Sequence, residues 1–257
     1  MGQRNTDHPK EIALSENPTV IVTGAARGIG RAIAERLGAH GARVIVNYRS
    51  DAAAADTVVT TIRTAGGEAT AVPADVAVPE QVQHLFDTAR HHYDAPAVVV
   101  HTAAVTHFTP LAQATDADYD HVFDANTRAT FTTLRAAAQH VTDHGRIIVI
   151  SSGAAVLPRP NAGLYAASKA AGDQLVRVLA TELAPRGITV NSVLPGPTRT
   201  ETVAATVPEA QLSAIAADIP LGRLADPTDI ADIVAFLASD AARWITGQTL
   251  HAGGGMF

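Results

Sequence analysis

Short runs of apolar, mostly β-branched residues recur along the chain: Val20-Ile21-Val22, Val44-Ile45-Val46, Val98-Val99-Val100, Ile147-Ile148-Val149-Ile150 and Ile188-Thr189-Val190. Runs that are apolar at every position, not at alternate ones, suit strands covered on both faces, as in a parallel sheet. Helical stretches lie between them. Arg31 to His40 follows the first run. Asp51 to Ala65 follows the second and meets a stop signal at Gly66-Gly67. Pro79 to His92 opens with a proline, which suits a first turn. Thr115 to His140 and Ala162 to Ala184 are each long enough for a major helix. This alternation predicts an α/β fold: a single-domain Rossmann-type doubly wound parallel β-sheet with helices on both faces. No repeat or low-complexity linker divides residues 18–257, and residues 1–17 read as a flexible N-terminal extension. The segment 198–218 breaks the rhythm and reads as a substrate lid.

Composition narrows the function. Apolar residues make up 47% and charged residues 17% of the 257, which supports a packed core and excludes wholesale disorder. The net charge of −6 argues against a nucleic-acid partner, whose phosphates call for clustered Lys and Arg. The absence of cysteine excludes disulfides, thiolate metal sites and cysteine nucleophiles. The histidines, including His91-His92 and the pair His140 and His144, have no carboxylates arranged with them, so no metal is expected. The longest apolar runs fall far short of the ~20 residues of a membrane span. Met1 to Pro18 has no apolar core of a secretory signal, and the expectation is a cytoplasmic protein without a membrane partner. The start Met1-Gly2-Gln3-Arg4-Asn5-Thr6 fits the short myristoylation pattern, but a frayed extension is the plainer reading. Lysine occurs only at Lys10 and Lys169, so a lysine inside the fold calls for a reason.

Thr23-Gly24-Ala25-Ala26-Arg27-Gly28-Ile29-Gly30 follows the first strand directly and opens a helix. Glycines permit the tight turn and let the backbone approach a pyrophosphate. The helix N-terminus then offers free N–H groups to the anion. Gly24, Arg27, Gly28, Ile29 and Gly30 are therefore candidate cofactor contacts, against the alternative of an ordinary tight turn. The second strand ends Val46-Asn47-Tyr48-Arg49-Ser50. An acidic side chain there would accept from both ribose hydroxyls and repel a 2′-phosphate. Asn47 and Tyr48 are not acidic, and Arg49 with Arg27 can bracket a phosphate. NADP(H) is the expected cofactor, with Tyr48, Arg49 and Ser50 around its 2′-phosphate end. Asp51 dissents, although Ser50 or Asp51 also suits a helix N-cap.

Tyr165-Ala166-Ala167-Ser168-Lys169 puts a phenol and an ammonium one helical turn apart. A nearby ammonium stabilises a phenolate, so the pair is expected to lower the Tyr165 pKa toward a usable proton donor and acceptor. Ser152 ends the Ile147–Ile150 strand, 13 residues before Tyr165. With the glycine turn, this spacing resembles the short-chain dehydrogenase/reductase family from about Pro18 to the C-terminus. The resemblance implies that Ser152 hydrogen-bonds a substrate carbonyl and that Asn126, within Phe123-Asp124-Ala125-Asn126-Thr127, holds a water in the proton relay. It implies that Lys169 also holds the ribose hydroxyls. It places Asp75 and Val76 by the adenine, Ala103 beside the cofactor, and Pro195, Gly196, Thr198 and Thr200 around the nicotinamide. The chain departs from the family's Asn-Asn-Ala-Gly after the fourth strand, where it has His101-Thr102-Ala103-Ala104. His101 or Thr102 can substitute, since both donate and accept.

The C-terminal stretch Ile245 to Phe257 looks most like the 3-oxoacyl-carrier-protein reductase branch. That implies an NADPH-dependent reduction of a 3-oxoacyl thioester or related β-keto compound, presented free or on a carrier protein, by a homotetramer. Arg135, Arg177 and Arg186 are candidates for carrier docking. The alternative in the same family is a ketone or polyketide reductase of specialised metabolism, or an alcohol dehydrogenase. A nucleotide-binding regulator is the reading from another class; its signature would be loss of Tyr165, Lys169 or Ser152, and all three are present. Val203, Val207, Leu212 and Ile215 suggest a partly apolar substrate under the lid, or a lid packed on its own protein. Small residues along 115–140 and 162–184, with Trp244 and Met256-Phe257, suggest helix pairing and burial between subunits.

Overall fold

The computed structural model describes residues 17–257. The rest of the N-terminal extension, with its myristoylation pattern, lies outside the described residues. Among these, seven strands form one sheet: β1 (Thr19–Thr23), β2 (Arg43–Tyr48), β3 (Glu68–Pro73), β4 (Val98–His101), β5 (Arg146–Ile150), β6 (Thr189–Pro195) and β7 (Thr249–Ala252). All pairs are parallel, in the order β3-β2-β1-β4-β5-β6-β7. The order reverses between β1 and β4. In such sheets the crevice outside the strands' carboxyl ends at that point is where ligands bind.

The continuous apolarity of the central strands is explained by two cores. Val20 and Val22 of β1 face one of them, with α1 (Gly28–Ala39), α2 (Ala52–Thr64) and α9 (Pro227–Ala238). Ile21, between them in sequence, faces the other, with α3 (Pro79–His92), α5 (Ala129–His140) and α6 (Gly163–Leu183). The doubly wound expectation holds. Edge strands β3 and β7 lack a long apolar run because each has only one neighbour and is incompletely covered. Helix α9 is not among the elements read from the pattern, although Asp226 and Asp229 form a capping box around Pro227.

The single helix expected over Thr115–His140 is not continuous α-helix. It comprises α4 (Asp116–Phe123), one π-helical turn over Asp124–Arg128, and α5. From this turn the Asn126 side chain reaches the loop after β4, where it bonds both backbone groups of Val105. Segment 198–218 carries two short helices, α7 (Glu201–Thr206) and α8 (Glu209–Ala217). Leu212 is buried there, while Val203, Val207 and Ile215 are partly covered. No helix among the described residues is long and apolar enough to cross a membrane.

Candidate active site

The glycine turn is built as a close approach of backbone to backbone. Gly24 has φ +62°, and a Cβ there would lie 2.9 Å from the Ala103 Cα. A Cβ on Gly30 would meet the Gly24 carbonyl oxygen at 2.3 Å. Helix α1 begins at Gly28, earlier than the Arg31 start expected from the pattern, so the glycines themselves form its first turn. The Gly28 N–H donates to the Glu201 carboxylate at 3.0 Å. An anion therefore sits at the α1 N-terminus, as its free amides and dipole favour. Glu201 was not legible as part of this site, because 173 residues separate the two partners.

Asn47, buried at the end of β2, is a strand clip. Its amide donates to the Val72 and Ala74 carbonyls at 3.2 and 3.1 Å, and its Oδ1 accepts from Gly24 N at 3.3 Å. Arg27, Arg49 and Ser50 are exposed, and Tyr48 is half-buried. Asp51 caps α2, accepting from Ala54 N at 3.0 Å. The dissenting carboxylate is thus committed to a helix end. Asp75 closes its own turn by accepting from Ala77 N at 2.9 Å, and Val76 beside it is buried.

Two of the three departing residues after β4, His101 and Thr102, serve as ties. His101 Nδ1 and Thr23 Oγ1 are 3.0 Å apart, and Thr102 Oγ1 donates to the Thr23 carbonyl. Burial, with the Lys169 charge adding to it, lowers the His101 pKa to about 3, so this ring is neutral. Ala103 packs on Gly24, where the family's alanine is expected.

Helix α6 carries Tyr165 and Lys169, both buried, past the end of β5. Ser152 caps a short turn after β5, its Oγ accepting from Ala154 N at 3.2 Å. The expected lowering of the Tyr165 pKa by Lys169 is not found. Burial raises it, and only the Ser152 hydroxyl pulls it back. The reason is geometric: Lys169 Nζ donates to the Ile150 carbonyl at 2.8 Å, at the β5 end. Burial lowers the Lys169 pKa to about 8, against the pull of Asp173 one turn further along α6. Asp173 itself is buried and accepts from Ser151 Oγ at 2.9 Å. Its pKa is raised by burial, opposed by Ser192, Ser151, Lys169 and Arg177. Sequence reasoning missed Asp173, although its i,i+4 spacing from Lys169 was a signal.

Asn126 is a tie, not a free amide. Its Oδ1 accepts from Val105 N at 2.8 Å, and its Nδ2 donates to Val105 O and Ser168 Oγ, both at 3.0 Å. With those bonds made, the side chain has little capacity left for the water assigned to it by the resemblance. Its main-chain oxygen lies in the π-helical turn and accepts from Thr130 Oγ1 at 2.8 Å.

After β6, Gly196 donates to Ala252 O at 2.9 Å, and a Cβ on it would lie 2.9 Å from Gly253 Cα. Pro195 ends β6 buried. Thr198 Oγ1 bonds the Gly196 carbonyl at 3.0 Å, and Thr200 caps α7 with its methyl beside Gly28. Elements from both halves of the sheet thus meet at the α1 N-terminus. Among the described residues no group of three or more His, Asp or Glu is placed to hold a metal.

Comparison with known proteins agrees with this geometry. The family model described as "Enoyl-(Acyl carrier protein) reductase" matches residues 24–257. The versicolorin reductase stcU of Emericella nidulans is 39% identical, over 94% of this chain and 96% of its own length. A dehydrogenase/reductase from Sinorhizobium meliloti superposes with a TM-score of 0.90 at 41% identity, covering 95% of this chain and 96% of that one. The angucycline C-6 ketoreductase LanV, solved with bound NADP, superposes with a TM-score of 0.88 at 37% identity, over 95% and 98% of the two chains. With likeness of this extent in both sequence and fold, the chain belongs to the short-chain dehydrogenase/reductase family.

Proposed function

We propose that the protein is an NADPH-dependent carbonyl reductase acting on a ketone of specialised metabolism. The observation that carries the reading is the buried Tyr165–Lys169 pair on α6, with Ser152 at the end of β5, beside a glycine turn whose helix N-terminus already holds a carboxylate. The cradle suits a dinucleotide: Gly24 and Gly30 leave no room for side chains, and the Gly28 N–H donates to an anion. Exposed Arg27 and Arg49, with Asp51 accepting from Ala54 N at the start of α2, favour NADPH over NADH. Tyr48, Ser50, Asp75, Val76, Ala103, Pro195, Gly196, Thr198 and Thr200 line the rest of the cofactor crevice in this reading.

Bound NADPH supplies the hydride to the carbonyl carbon. Ser152 Oγ–H orients the carbonyl oxygen, and Tyr165 Oη–H gives it the proton, so that C=O becomes CH–OH. The raised Tyr165 pKa keeps the phenol protonated at neutral pH, which suits a donor. Lys169, its Nζ held at the Ile150 carbonyl, is the residue that would hold the cofactor's ribose hydroxyls. Asn126 holds the loop after β4 against α6 through Val105 and Ser168.

Relatives named as versicolorin reductase and angucycline ketoreductase support specialised metabolism over a 3-oxoacyl thioester on a carrier protein. The test is NADPH consumption, followed at the nicotinamide absorbance, against fused-ring ketones and a 3-oxoacyl thioester. Faster turnover of fused-ring ketones is expected. Preference for the thioester restores the carrier-protein reading, and NADPH binding without turnover favours a regulator.

The assembly is a homotetramer in this reading. Tyr119, Phe131 and Val178 present exposed apolar surface on α4, α5 and α6, and Trp244 is 96% exposed. The Phe257 ring lies against Gly153 and Gly253 of its own chain and stays partly exposed. A sedimentation mass of one chain would refute the assembly.

A further inference from the structure

Phe108 lies in the loop between β4 and α4 and is 61% exposed, with its ring centroid 5.8 Å from that of Tyr165 at an interplanar angle of 72°. Burial does not hold this ring in place; its neighbours do. His107 Nε2 lies 3.1 Å from Asp118 Oδ1, and Asp118 belongs to the capping box of α4. Thr109 N–H donates to the Asn161 carbonyl at 2.8 Å. Further back, Val105 is tied by both its backbone groups to Asn126. An apolar ring is thus kept largely in water, edge to face with the phenol that donates the proton. Leu111, 70% exposed, continues the apolar surface beside Gly163, two residues before Tyr165.

Tyr165 itself is only 9% exposed, so Phe108 supplies much of the aromatic surface open to a ligand next to it. Covering such a surface is favourable for any apolar group, but aromatic pairs add a geometric preference beyond burial. An extended acyl chain would gain only the burial. Resting on the reading of Tyr165 as the proton donor of a carbonyl reductase, we infer that Phe108 is a specificity-determining residue that packs on an aromatic ring fused to the substrate's ketone-bearing ring. The substrate class is then a fused-ring aromatic ketone, not an open-chain β-keto acyl compound.

The experiment compares wild type with Phe108→Leu and Phe108→Tyr on 2-tetralone and on ethyl acetoacetate. Leucine keeps the apolar bulk and removes the ring; tyrosine keeps the ring. Loss of the aromatic preference should lower kcat/KM for 2-tetralone about fivefold in Phe108→Leu. The same variant should keep ethyl acetoacetate within about twofold, and Phe108→Tyr should keep 2-tetralone within about twofold. NADPH affinity, titrated by fluorescence, should be unchanged in both variants, which controls for folding. Equal loss on the two ketones in Phe108→Leu, or no loss on 2-tetralone, overturns the assignment. Wild type that binds NADPH yet reduces neither ketone overturns the reductase reading itself, and this inference with it.

Discussion

Replacing Asp173 by Asn removes one unit of negative charge from the interior while keeping the side chain's shape. The carboxylate is the charge that opposes burial at Lys169. With it in place, the Lys169 pKa is already lowered from 10.5 to about 8, so the charged form costs the fold about 3 kcal/mol more than it costs in water. Below pH 8 folded and unfolded chains both hold the proton, and that cost is present in full. Between pH 8 and 10.5 the folded chain releases it first, unfolding takes up a proton, and the contribution of this lysine to stability rises with pH.

Loss of an adjacent opposite charge moves a pKa by about 1–3. The variant lysine should therefore lose its proton at a lower pH than the wild-type value of about 8. Near pH 7.5 a smaller share of variant than of wild-type lysines is then protonated, and the rate should fall by about threefold or more. The assay is kcat/KM for a ketone over pH 5.5 to 9.5, with circular dichroism to verify folding. The alkaline limb should move down, and activity should approach wild type at pH 5.5. An unmoved limb, or an equal loss at every pH, would refute the coupling between Asp173 and Lys169.

Other perturbations separate the parts of the crevice. Arg49→Ala should weaken NADPH about tenfold or more while leaving NADH nearly unchanged, since only NADPH carries the 2′-phosphate; equal losses in a fluorescence titration would exclude Arg49 from its recognition. Glu201→Gln should tighten NADPH about threefold, because a neutral side chain competes less well with phosphate for the Gly28 N–H; weaker binding in calorimetry would show that Glu201 assists the cofactor instead. Asn126→Ala removes three hydrogen bonds and should cost about 3 kcal/mol of stability, read from denaturant unfolding; a cost under about 0.5 kcal/mol would mean that the loop after β4 is held by other contacts.

Local features were legible in the chain. The central strands announced themselves because both faces are buried, so every position is apolar. The glycine turn was legible because steric exclusion leaves Gly24 and Gly30 no alternative. The Tyr165–Lys169 pair was legible because one helix fixes its spacing. What escaped depends on distant partners. The π-helical turn exists for a bond between Asn126 and a loop 21 residues away, so the pattern of 115–140 alone reads as one helix. The lowered Tyr165 pKa was expected from adjacency alone, whereas the direction of Lys169 toward Ile150 O is set by the β5 end. Glu201 and Phe108 look like ordinary surface residues until the fold brings α7 to α1 and the β4 loop to α6.

The central claim is that Tyr165 is the proton donor of an NADPH-linked carbonyl reduction, and Tyr165→Phe tests it most directly. The substitution removes one hydroxyl from a ring that is 9% exposed and leaves the packing surface intact. Single-turnover reduction of a fused-ring ketone, with NADPH affinity titrated on the same sample, is the measurement. The rate should fall by about 10²–10⁴, the loss typical of a positioned acid, while NADPH affinity stays within a few-fold. A variant that binds NADPH normally and reduces the ketone at close to the wild-type rate would contradict the account.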